Sequence, residues 1–128
     1  MKKIFLGGTC SRTTWRKKLI PMLKIDYFNP MTKGWNEEAR QLEVKEREKC
    51  DYVLYVITPT IRGYYSIAEA VDDSNKRPEK TIFCLLESEG ESFTTNQKRT
   101  LNAVANLVRG NGAFVCHSLE EIANHVNP

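Results

Sequence analysis

Five short apolar runs alternate with charged, helix-forming segments along this chain, and the alternation predicts most of its elements. Residues 3–7 read as a first strand that stops at a double glycine. Several hydroxyl residues then offer N-caps for a helix over 13–20, with Pro21 limiting its extension. A weaker strand over 24–28 ends at Asn29-Pro30, and residues 31–36 form a loop. Residues 37–49 predict a surface helix with Asn36 as N-cap and a thin stripe of Ala39, Leu42 and Glu46. Its remaining charges read as a solvated face with i,i+4 pairs such as Glu43–Arg47.

The run YVLYVI over 52–57 contains no polar break. A strand covered on both faces requires this, because neither of its side-chain rows meets water. After the loop 58–63, a helix over 64–73 is expected to turn Ile67, Ala68 and Val71 to the sheet. Another buried-type strand follows over 81–86, then a helix over 95–108 ended by Gly110 and a last short strand over 113–116. Ser118, three residues before Glu121, gives a capping-box opening for a terminal helix.

The order β-α-β-α-β-α-β-α-β predicts an α/β protein. The expected form is a flavodoxin-like or Rossmann-like three-layer sandwich with a five-stranded parallel sheet in the order 2-1-3-4-5. Ligands of such sheets bind beyond the carboxyl ends of the strands, where strand order reverses. Here that point lies between the first and third strands, which directs attention to loops 7–15, 29–36 and 58–69. No linker, repeat or low-complexity tract divides residues 1–128, so one domain is expected, and 128 residues suffice to bury a core without metal or disulfide.

Composition narrows the setting. The start MKKIFLGG has only three apolar residues in a row, fewer than an export signal needs, and no run reaches membrane-span length. The cytoplasm is the expected compartment, with no membrane partner. Cys10, Cys50, Cys84 and Cys116 lie too far apart for a C-x-x-C site, and Cys84 and Cys116 read as small buried hydrophobes. Neither the cysteines nor His117 and His125 form a compact ligand set, so no metal and no cofactor are expected. The net charge of +3 is unevenly placed: Lys2, Lys3, Arg12, Arg16, Lys17, Lys18 and Lys24 occur before any acid. That cluster suits steering of a phosphate-bearing small molecule, whereas the absence of a zinc finger, basic tail or aromatic-interleaved stripe argues against nucleic acid.

Three places can carry chemistry. In the first loop, Gly7, Gly8 and Thr9 with Arg12 or Arg16 offer backbone donors, a hydroxyl and charge to an anion, although turn geometry alone also accounts for the glycines. The loop is neither G-x-G-x-x-G nor a Walker A motif, and it lacks the run of hydroxyl residues expected for flavin phosphate. On the helix after Gly63, Tyr65 and Glu69 are four apart and share a face near the third strand's exit, with Ser66 beside them. A carboxylate there serves as nucleophile or base, or sits solvated on an ordinary helix. At the second strand's exit, Trp35 reads as a stacking wall or a lid, Asn29 as a ligand or a turn cap, and Asp26 as a ligand or an edge-strand charge.

Taken together, KIFLGG at 3–8, DYFNP at 26–30, the 43–51 segment ending Cys50-Asp51 and GYYSIAE at 63–69 resemble the nucleoside 2-deoxyribosyltransferase-like family over about residues 3–86. The resemblance implies a flavodoxin-like fold acting on the N-glycosidic bond of a 2-deoxynucleoside or its 5'-monophosphate. It implies Glu69 as the nucleophile that forms a covalent deoxyribosyl-enzyme, and Glu43 as the acid that helps protonate the departing base. The first loop would lie near the sugar or its phosphate. Homo-oligomers in which a neighbour's C-terminal region completes the pocket are also implied. Two positions depart from the family pattern: Phe5 stands where a tyrosine often holds the nucleophile, and Gly63 where an aspartate contacts the base. Against the enzyme stands an alternative on the same fold, a nucleotide-binding or signalling module without turnover.

Overall fold

The computed structural model describes residues 1–31, 36–87 and 90–128. Strands β1 (Lys3–Gly8), β2 (Asp26–Phe28), β3 (Tyr52–Ile57), β4 (Thr81–Leu85) and β5 (Phe114–Cys116) alternate with helices α1 (Trp15–Leu19), α2 (Glu37–Lys49), α3 (Tyr65–Lys76), α4 (Thr95–Gly110) and α5 (Leu119–Val126). All neighbouring strands pair in parallel, in the order β2-β1-β3-β4-β5. This is the flavodoxin-like arrangement that the element order predicts.

The strand period of two divides the core between the faces of the sheet. Ile4, Leu6, Leu54, Val56 and Ile82 point to the face covered by Trp15 and Leu19 of α1 and by Ile122 and Val126 of α5. Phe5, Val53, Tyr55, Ile57 and Phe83 point to the other, under Ala70 of α3 and Leu101, Ala105 and Val108 of α4. Cys50, Cys84 and Cys116 are buried as small hydrophobes, while Cys10 is exposed. No helix among the described residues is long and apolar enough to cross a membrane.

The structure corrects several local readings. Helix α1 is short because Pro21 opens a separate 3-10 turn, Ile20–Met22, where its missing N–H costs nothing. Strand β2 starts at Asp26, since the backbone of Lys24 instead donates to Asn127 Oδ1 at 2.8 Å. Helix α3 continues past Asp73 to Lys76, and its sheet-facing stripe is Ile67, Ala70, Val71 and Ser74. Ala68 faces solvent. Asn36 caps α2 as expected, accepting from the Ala39 N–H at 2.8 Å. Ser118 likewise accepts from Glu121 N–H, but the Glu121 carboxylate takes the His117 N–H and the Ser118 hydroxyl rather than completing a reciprocal box.

Candidate active site between the first and third strands

The site begins with a backbone requirement. Gly8 has φ +118°, and a Cβ there would lie 2.1 Å from the carbonyl oxygen of Val56. Only glycine permits this approach, which brings Thr9 N–H within 2.8 Å of that same oxygen. The β1 exit is then stitched to the β3 exit: Thr9 Oγ1 accepts from Thr58 N–H at 2.9 Å, and Thr60 Oγ1 donates to Ser11 O at 2.6 Å.

Arg16 holds the loop from beneath. Its buried guanidinium donates to Leu6 O at 3.1 Å, Thr9 O at 2.9 Å and Gly8 O at 3.4 Å, and lies over the Trp15 ring. The Trp15 indole N–H also donates to Thr9 O. Arg16 therefore shapes the loop through its carbonyls and lines the cleft above it. Arg12 is exposed with a left-handed φ of 47° and is not part of the cleft lining.

The cleft has a volume of about 350 Å³ and opens at the β1–β3 switch point. Gly7, Gly8 and Thr9 form one wall, Gly63, Tyr65, Ser66 and Glu69 another, and Glu43 reaches in from α2. Seven positions spread over the loops and helices flagged by sequence, together with Glu43, thus meet around one space. Asp26 does not join them. It starts β2, level with Lys3, toward the amino-terminal edge of the sheet. Asn29 turns inward on its own loop, its Oδ1 accepting the Met31 N–H at 3.0 Å. Trp35 lies outside the described residues.

Glu69 is one turn inside α3, with its side chain 15% exposed. Burial pushes its pKa up to about 7; Arg47 opposes the rise, whereas Glu43, Asp73 and Asp72 add to it. Burial also raises the pKa of Glu43, again against Arg47. Two carboxyl groups in one cleft therefore hold protons more tightly than in water, a pattern suited to acid–base and nucleophilic work near neutral pH. Phe5 lies in the cleft wall, stacked on Phe28 at 5.7 Å, and has no hydroxyl to offer Glu69.

The group sequence reasoning missed is Arg47. The sequence pattern makes it a surface i,i+4 partner of Glu43; it does act on the Glu43 charge, but it is largely buried and its hydrogen bonds run elsewhere. Instead it reaches from α2 to α3, where Nε and Nη2 grip Asp73 at 3.1 and 2.9 Å and Nη1 pairs with Glu69 at 3.2 Å. Asp73 is fully buried and also accepts from Tyr55 OH and from Arg77. The available signal was Asp73 itself, an acid placed three residues after Ala70 on the side of α3 that meets the sheet.

A family model described as nucleoside 2-deoxyribosyltransferase like matches residues 1–88. No curated protein was found to match the chain.

Proposed function

The chain belongs to the nucleoside 2-deoxyribosyltransferase-like family, and on that premise we propose that it breaks or exchanges the N-glycosidic bond of a 2-deoxynucleoside or its 5'-monophosphate. The observation carrying this reading is the meeting of Glu69 and Glu43 in one cleft at the switch point, both with raised proton affinity.

In the first step the ionised Glu69 attacks C1' of the sugar. The C1'–O bond to the carboxylate forms as the C1'–N bond breaks, and the bonding pair leaves with the base. Glu43 in its protonated form supplies the proton that the base takes up. In the second step a water or an acceptor base attacks C1', the glutamyl ester breaks, and Glu43 carboxylate receives the proton the nucleophile releases. Water gives hydrolysis; a base gives transfer. In this reading Tyr65 and Ser66, which line the same wall as Glu69, contact the substrate, and the loop of Gly7, Gly8 and Thr9 contacts its sugar or phosphate.

Wild-type protein and E69Q incubated with deoxynucleosides and their 5'-monophosphates, with and without acceptor bases, provide the test, free base being followed by chromatography. Release by wild type with a loss of about a thousandfold or more in E69Q is expected, since a missing nucleophile removes the covalent route. Equal release by both would refute the role of Glu69. Nucleotide binding by the folded wild type without any release would favour a binding module instead.

A further inference from the structure

We infer that Arg47 is the positioning residue for Glu69: Asp73 anchors its guanidinium side-on so that the remaining amino group is presented to the Glu69 carboxylate. The inference rests on the reading of Glu69 as nucleophile and adds how that carboxylate is held. Two of the three guanidinium nitrogens, Nε and Nη2, are committed to the two oxygens of Asp73. A planar fork fixed this way has little freedom left, so the direction of Nη1 is set by Asp73 rather than by Glu69. Asp73 is in turn fixed from three sides, by Arg47 from α2, by the Tyr55 hydroxyl from β3 and by Arg77 beyond α3.

Burial opposes the charge of Arg47, yet its bonds to Asp73 and the nearby Glu69 hold its pKa above the ordinary arginine value, so it stays a cation at any working pH. A permanent cation beside Glu69 keeps a usable fraction of that buried carboxyl ionised. The other groups around Glu69 work the opposite way: Glu43 from α2 and Asp72 and Asp73 from its own helix all favour its proton. Tyr55 from β3 remains a neutral phenol, because burial holds its proton on. Arg16 and Cys10 line the far side of the same cleft.

The test compares wild type, R47K and R47M in three measurements: the pH profile of kcat/KM for base release, thermal denaturation, and the carboxyl titration of Glu69. The titration is read from carbon NMR of labelled glutamate and assigned by its loss in E69Q. In R47M the acidic limb of the profile and the Glu69 titration should both move up by about one pH unit or more, as when an opposite charge is removed from 4–6 Å. R47K keeps the charge but not the fork. Its limb should stay near that of wild type while kcat falls about tenfold, because an ammonium cannot hold Asp73 bidentately and also reach Glu69.

An unmoved limb and unmoved carboxyl titration in a folded R47M would overturn the inference, since a merely structural arginine would change the melting temperature alone. If R47M does not fold, R47K decides: a reduced kcat at unchanged melting temperature supports positioning, and wild-type kcat overturns it. The titration needs no turnover. Activity retained by E69Q would therefore remove the nucleophile reading while the Arg47–Glu69 titration still reports on the contact itself.

Discussion

At the scale of single residues, the carboxyl of Glu69 is an expense to the fold. Its pKa is raised from 4.5 to about 7, chiefly by burial. Between those values the folded protein keeps a proton that the unfolded chain has released, so folding stability falls as pH rises through this window. Below about 4.5 both states are protonated and nothing is lost; above about 7 the loss is complete. Glutamine has the shape of the protonated form and cannot ionise. E69Q should therefore match wild type in stability near pH 4.5 and exceed it increasingly up to pH 8, by roughly 1–2 kcal/mol once solvent screening of a partly accessible carboxyl is allowed for. Melting curves of both proteins across pH 4.5–8 check this, and a difference that does not change with pH would show that Glu69 is not held against its charge. The position of Glu69 was legible from sequence because Gly63 and the 3.6-residue period place it one turn inside a helix at the strand exit. Its environment was not, since that depends on Arg47, 22 residues earlier and on another helix.

Among the elements, α2 is the one that hydrophobic burial explains least. It has no fully buried residue, and Leu42 and Val44 on it are 46% and 40% exposed. Ionic contacts hold it instead: Glu46 pairs with Lys3 of β1 at 3.0 Å, and Arg47 grips Asp73 of α3. Because the fully buried Asp73 gathers Arg47, Arg77 and Tyr55, D73N leaves two largely buried cations short of a charge partner. It should cost about 3 kcal/mol or more, as for breaking one side of a buried ion pair. Y55F removes one hydrogen bond to the Asp73 carboxylate and should cost about 2 kcal/mol. Urea denaturation of the two variants distinguishes them, and equal costs would mean that the cluster does not work as a charged unit. The same cluster explains where the pattern of polar positions misleads. Asp72, Asp73 and Ser74 look like the exposed end of a helix, yet Asp73 and Ser74 are fully buried and α3 continues to Lys76. Apolar runs such as YVLYVI reveal strands because the hydrophobic effect acts locally on every residue. A buried polar residue is recognised only through partners that the chain brings from a distance.

For the whole molecule, alternation of strands and helices restricts the sheet to a few doubly wound orders; once the order is β2-β1-β3-β4-β5 its switch point lies between β1 and β3, and the cleft lies there. Charge distribution has a consequence at the same scale. Of the seven basic residues that precede the first acid, the fold sets Arg16 against the cleft and leaves Arg12 exposed in the loop before it, whereas Lys2, Lys3 and Lys24 lie at the amino-terminal edge of the sheet; Arg62 joins Arg16 in the cleft lining. Cations on one side of an opening raise the local concentration of an anionic substrate over a distance of about one Debye length, roughly 10 Å at 0.1 M salt. If the substrate carries a 5'-phosphate, kcat/KM should fall several-fold between about 50 mM and 500 mM salt, with little change for the corresponding nucleoside. Measuring base release from both substrates across that range checks the expectation. Parallel salt curves would mean that salt acts on the protein itself; a curve flat for the nucleoside and falling for the nucleotide would assign the effect to the phosphate meeting the arginines at this opening.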